Sequence, residues 1–288
     1  MATNKSKNAR MSAEMKEWEL DYSLKNQPVI TVGKEGGVNN ELYAPRGLAI
    51  YEPNQLIYIA DSGNWRIQVV TFEGNFVTNF GDIVGSAYGV AVTENHVLVT
   101  DITYCTLFQF SDFKVARTDA RGSGEGELFH PRGLCTDYNG DVYVADSDNH
   151  RVCIYSNELK FINYLGTHQL KYPSDVKVTP NSIVVLDLSP NYVHFFSRSG
   201  HLIHSCVTHV TELTTIWYPS YFCLDPAGNI LISDPYSNGI KILSPLGEQI
   251  HTIRCGGDEF AHSRGICISE VGTIFVVAND NRFGLQIL

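Results

Sequence analysis

The chain has 288 residues, 43% of them hydrophobic, a formal charge of −10 and a pI near 5.4. The apolar fraction suffices for a large core, and the acidic balance disfavours nonspecific nucleic-acid binding, which depends on neutralising phosphates. Seven cysteines form no Cys-x-x-Cys pair, so a zinc knuckle is not expected, and the first 20 residues contain no apolar run. Small buried thiols, a reducing cytoplasmic setting and no membrane association are expected.

Taken in order, residues 1–27 read as a tail, disordered over its first ten or so, with a short helix from Ser12 to Leu20 capped by Ser12. Pro28 to Gly33 reads as a strand that precedes any partner of its own. Next, Ala44-Pro45-Arg46-Gly47 enters a strand ending at Ile50, and a second runs from Leu56 to Asp61. Ser62-Gly63-Asn64 turns the chain into a third strand, Ile67 to Thr71, and Glu73-Gly74-Asn75 turns it into a fourth, Phe76 to Phe80. Each run is short and rich in β-branched or aromatic residues, and Gly, Asn, Asp or Pro marks each join.

The unit recurs. The residue before its key glycine position falls at Arg46, Tyr88, Arg132, Ser174, Ser220 and Arg264. The acid closing the second strand falls at Asp61, Asp101, Asp146, Asp187 and Asp234, with Asn279 in the sixth copy. Copies lie about 40 to 47 residues apart, the period of a four-stranded β-propeller blade. The expected fold is all-β, a six-bladed propeller over residues 28–288. Its blades run about 42–81, 85–114, 128–166, 170–204, 216–253 and 260–288. The sixth copy stops after three strands, so residues 28–33 are expected to complete it and close the ring. Residues 115–127 and 205–216 read as long connections on the face where first strands begin, called the top here.

Pro45-Arg46-Gly47-Leu48-Ala49 followed by Tyr58-Ile59-Ala60-Asp61-Ser62-Gly63-Asn64-Trp65-Arg66 resembles an NHL repeat, as does the third copy from His130 to Tyr155. The other copies are degraded but in register. No Trp-Asp ends a third strand and no Gly-Gly pair recurs at blade spacing, which argues against WD and kelch repeats. The pattern resembles the NHL propeller of tripartite-motif proteins, which implies a protein or RNA partner docked on one face. In that family a RING, B-box and coiled coil supply the ligase part. No Cys/His zinc array or heptad stretch occurs in these residues, so a self-contained ligase is not expected, while a substrate-recruiting domain stays open.

Two rings of side chains are expected on the top. The first is the series from Arg46 to Arg264 given above. The second is Trp65, Cys105, His150, Asn191, Asn238 and Phe283. Arginine and aromatic groups together suit stacking recognition of a peptide, a carboxylate or a nucleobase. Partner contacts are therefore assigned to Arg46, Trp65, Tyr88, Arg132, His150, Arg264 and Phe283. Against this, Arg66 and Arg151 fit pairing with Asp61 and Asp146 within their own blades, and the repeated aspartates fit turn capping by accepting backbone N–H bonds.

Enzymatic readings are not favoured. The NHL-like amidating lyase holds zinc on histidines at the position between the proline and the glycine, where this chain never has His. Gluconolactonase-like propellers need carboxylates converging in the channel, and Asp175 is a candidate without an evident partner. No Gly-x-Ser-x-Gly occurs. A non-enzymatic, monomeric recognition module without metal or cofactor is expected, binding a protein or peptide. One alternative is single-stranded RNA on the arc Arg264, Arg46, Tyr88, Arg132 with Trp65 and His150, with Glu35, Asp119, Glu125, Glu127, Asp258 and Glu259 in the same loops counting against it; the second is a small-molecule lyase or hydrolase in the central channel.

Overall fold

The computed structural model describes residues 22, 30–111, 114–118, 121–189, 191–208, 221–234, 239–254, 263–278 and 284–288. The expected tail and helix lie outside these residues apart from Tyr22, as do Ser220, Asn238, Asn279 and Phe283.

The ring opens with β1 (Ile30–Val32). Blade one is β2 (Pro45–Tyr51), β3 (Leu56–Asp61), β4 (Arg66–Thr71) and β5 (Phe76–Phe80). Blade two is β6 (Ala87–Val92), β7 (Val97–Asp101), β8 (Thr106–Ser111) and β9 (Lys114–Arg117). Blade three is β10 (Pro131–Thr136), β11 (Val142–Asp146), β12 (Arg151–Tyr155) and β13 (Phe161–Leu165). Blade four is β14 (Pro173–Val178), β15 (Ser182–Asp187), β16 (Tyr192–Ser197) and β17 (Leu202–Val207). Blade five is β18 (Phe222–Leu224), β19 (Ile230–Asp234), β20 (Gly239–Leu243) and β21 (Gln249–Arg254). Blade six is β22 (Ser263–Ile268), β23 (Ile274–Ala278) and β24 (Gly284–Ile287), completed by β1 in the order β1-β24-β23-β22. Every blade is thus a four-stranded antiparallel sheet.

Closure is as expected from the sequence. Ile30, Thr31 and Val32 pair antiparallel with Ile287, Gln286 and Leu285. Two outer strands extend past their expected ends. β9 reaches Arg117 and β17 reaches Val207, so part of each expected connection is strand. Both are largely solvent-exposed, and β9 is exposed at every position, so neither carries the apolar alternation that marks a half-buried strand.

The core lies in the seams between blades. One buried cluster joins Ala60 and Ile67 of blade one to Val90, Val99 and Phe108 of blade two. Five more repeat the arrangement round the ring, the last joining Phe275, Val277 and Leu285 of blade six to Ile57, Ile59 and Val70 of blade one. No blade buries both faces alone, so closure is a condition of stability. Hydroxyls add links across the seams. Ser62 Oγ donates to the Ala87 carbonyl and Ser147 Oγ to that of Pro173. Tyr22 is anchored far along the chain, its hydroxyl donating to Asp225 Oδ2 at 2.6 Å while its ring joins the seam of blades five and six.

A chain beginning at residue 41 loses β1 and the ladder bonds to β24. Each is worth about 1 kcal/mol net. We expect insolubility, or a midpoint lowered by about 6–12 °C in thermal unfolding; an unchanged midpoint would count against closure by β1.

Candidate functional site at the channel mouth

The first strands converge on the axis, and their glycines set how closely. A Cβ on Gly47 or Gly89 would stand 2.6 Å from the carbonyl oxygen of Tyr88 or Arg132, and one on Gly265 would meet that of Arg46. Backbone therefore touches backbone at this level, a packing that only glycine permits. Just before each glycine the register of first and second strand shifts, between Pro45 and Leu48, Ala87 and Val90, Pro131 and Leu134, and Ser263 and Ile266. Such an irregularity re-aims a side chain, and here it falls on Arg46, Tyr88, Arg132 and Arg264.

These residues gather as an alternating stack. The Arg46 guanidinium lies 4.5 Å from the Tyr88 ring centre, and that of Arg132 lies 5.4 Å from the same ring and 4.6 Å from the ring of Tyr172. Arg132 Nη2 also donates to the Tyr172 hydroxyl at 2.6 Å. Blades four and five carry Asp175 and Tyr221 where the other copies have glycine. Tyr221 spans the channel from blade five to the opposite blade two. Its ring stacks on Tyr88 at 5.9 Å and its hydroxyl donates to the Tyr88 carbonyl at 3.1 Å. Tyr88 and Tyr221 thus plug the axis. Arg132 and Arg264 are buried beside them, at 9% and 7% exposure, and Arg46 is half-buried. Burial pushes the Tyr221 phenol well up, against the pull of Arg46 and Arg264.

The second expected ring is of another kind. Trp65, Cys105, His150 and Asn191 share positive φ, from 52° to 69°, at the corner between second and third strands. Trp65 is 67% exposed, whereas Cys105 is buried. His150 is exposed, and its Nδ1–H donates to the Lys171 carbonyl in the loop entering blade four. Phe283 lies outside the described residues. The structure therefore brings Arg46, Tyr88, Arg132 and Arg264 to the mouth and leaves Trp65 and His150 on the outer turns. Tyr104, 52% exposed on the equivalent turn of blade two, is a further surface aromatic that the repeat alignment passed over because it precedes the aligned position.

The recurring aspartates organise the top loops. Asp101 accepts four backbone N–H bonds, from Gly85, Ser86, Thr103 and Tyr104. Asp61 accepts from Tyr43 N, Asn64 Nδ2 and Arg66 Nε, and Asp146 from Phe129 N, Asn149 Nδ2 and Arg151 Nε. Arg66 and Arg151 then donate to loop carbonyls, those of Gly37, Val38 and Glu41, and of Ser123, Gly124 and Glu127. These two arginines hold loops rather than face a partner. Asp175 has a partner two residues on, Lys177, with Nζ 2.9 Å from Oδ2. Side chains two apart on a strand share a face, so the pair was legible from spacing.

Toward the bottom, a cavity of about 680 Å³ opens beside Cys135, Lys177, Cys223, Cys267, Phe195 and Asp225. Burial pushes the Cys135 thiol up to about 12 and raises Cys223 and Cys267 as well, so these thiols stay neutral. Burial opposes the charge of Lys177, but Asp175 outweighs it and raises the amine, which stays an ammonium. Among the described residues no group of three or more His, Cys, Asp or Glu side chains is arranged to hold a metal ion.

The NHL repeat family matches residues 130–155, the third copy. The Drosophila melanogaster protein brain tumor is 27% identical over 142 residues, 46% of this chain and 13% of that protein. The Caenorhabditis elegans protein lin-41 is 50% identical over 42 residues, 15% of this chain and 4% of that protein. The chain therefore spans a small fraction of the length of these relatives. Among solved structures, a gluconolactonase of Xanthomonas campestris superposes with a TM-score of 0.67 at 13% identity, over 92% of this chain and 91% of that one. At that identity the likeness is of fold alone.

The loop clamp makes a measurable claim. Removing one partner of a buried ion pair leaves the other charge uncompensated, at a cost of about 3–5 kcal/mol. We expect Arg151→Met to lower unfolding stability in urea by about that amount, and Arg117→Met on exposed β9 to change it by less than about 0.5 kcal/mol.

Proposed function

We propose, from the premise that this chain is an NHL-repeat β-propeller with distant similarity to the TRIM-NHL proteins, that it is a cytoplasmic, non-enzymatic recognition module that docks a protein or peptide on its top face. The observation that carries this reading is the distribution of exposed apolar side chains. Among the described residues Val38, Tyr43, Trp65, Ile83 and Tyr104 stand 46–67% exposed on the top loops of blades one and two, which are neighbours. The large apolar residues exposed on the bottom turns, Tyr138, Leu246 and Val271, are spread over blades three, five and six. Concentrated aromatic and aliphatic surface marks a protein-binding site. The plugged axis favours binding over chemistry on a small molecule in the channel. A role in recruiting substrates to a ubiquitin ligase follows from the TRIM-NHL likeness.

Single-stranded RNA is the second reading, favoured by exposed Trp65 and His150 on the same face as the arginine arc. It is weakened because Arg132 and Arg264 are buried, whereas backbone-tracking sites offer exposed cations along the strand. Two measurements separate the readings. Random single-stranded RNA should not bind at either low or physiological salt; binding at low salt that Arg46→Ala and Arg132→Ala abolish would establish the RNA reading instead. Proteins crosslinked to the wild-type chain in cell extract should fall about tenfold with Trp65→Ala or Tyr104→Ala, the size expected of interface anchors. They should persist with Tyr138→Ala on the bottom. Equal loss from both faces would reject a top-face site.

A further inference from the structure

Among the described residues, two arginines at the channel mouth, Arg46 and Arg132, have no acid paired with them. Arg46 Nε, Arg132 Nη1 and the Tyr88 hydroxyl are buried and have no hydrogen-bond partner among the described residues. All three belong to one site, since both guanidiniums lie against the Tyr88 ring. The acids in reach are engaged elsewhere. Asp175, which bears on Tyr221, is held by Lys177 and by the N–H groups of Val176 and Phe222. Asp148, which bears on Tyr172, pairs with His130. Buried donors in folded proteins are almost always satisfied, and buried charges almost always paired.

We infer that the mouth of the channel, where Arg46 and Arg132 lie against the Tyr88 ring and Tyr221 stacks on it, is a seat for a single carboxylate presented by an acidic side chain or chain terminus of a protein partner. The source of the carboxylate rests on the recognition reading above, whereas the seat rests on the unpaired donors themselves. Guanidinium groups match the planar, two-oxygen geometry of a carboxylate, and the Tyr88 phenol adds a third donor. The Tyr88–Tyr221 stack crosses the axis, so the site suits one inserted group rather than a threaded strand. The surrounding top loops carry Glu35, Glu125 and Asp148. They would repel a run of phosphates but tolerate one acid flanked by neutral or basic residues.

The test uses the full chain with arginine side chains labelled with nitrogen-15, and sodium acetate as probe at ionic strength held constant with chloride. The Nε–H signals of Arg46 and Arg132, identified from Arg46→Gln and Arg132→Gln, should shift saturably with acetate, while those of exposed Arg117 and Arg254 should not. Tyr88→Phe should weaken the response at least threefold while keeping the stack. If Arg132→Gln fails to fold, Arg46→Gln and Tyr88→Phe still decide. Absence of a saturable shift, or equal shifts at Arg117, would overturn the seat. A response to inorganic phosphate without one to acetate would overturn the choice of carboxylate. Because acetate carries no protein surface, these results are independent of whether Trp65→Ala and Tyr104→Ala release a partner.

Discussion

Three residue pairs, Ile30 to Ile287, Thr31 to Gln286 and Val32 to Leu285, join the two ends of the ring. Everything else in the architecture presupposes them. Each blade is apolar on both faces, and each of the six buried clusters is shared by neighbouring blades. An open ring would expose two seam faces and leave the outer edge of β24 unpaired. The chain solves this by placing its closing strand before the first blade, so that the covalent break in the circle falls inside a sheet, where ladder hydrogen bonds bridge it.

Closure has a consequence at the axis. Six first strands brought together leave space that glycine at 47, 89, 133 and 265 makes as narrow as backbone contact allows. The residues before those glycines cannot lie flat in the sheet, and the register shifts there turn them toward the axis. The two copies that lost glycine fill the gap differently. Asp175 forms a buried ion pair with Lys177, and Tyr221 crosses to blade two. The degraded repeats are thus the ones that differentiate the channel, and their departure from the consensus is what makes this propeller's mouth distinct from a symmetric ring.

The top surface divides into two chemistries. Near the axis, guanidinium and phenol groups stack in a buried arc. Outside it, on blades one and two, tryptophan, tyrosine and isoleucine side chains stand in solvent on loops that buried aspartates and arginines hold rigidly. A rigid loop bearing apolar side chains gives up little conformational entropy on binding, which suits an interface anchor. Among the described residues the bottom lacks this arrangement and instead carries a thiol-lined cavity beside Lys177, an ammonium paired with Asp175.

Strand number, blade period, ring closure and the capping aspartates were all legible in the sequence, because each depends on local chemistry that repeats: turn residues, alternation, and an acid at a fixed offset. The pairing of Arg66 and Arg151 with Asp61 and Asp146 was legible for the same reason, being a contact across one turn. The ends of β9 and β17 were not, since an exposed edge strand has no apolar face to betray it. Nor could the sequence tell that Arg132 and Arg264 would be buried while Trp65 stays in solvent, although both of their rings are expected on the top. That difference, and the reach of Tyr221 across to Tyr88, arises only when six blades close on one axis and residues about 130 positions apart come into contact.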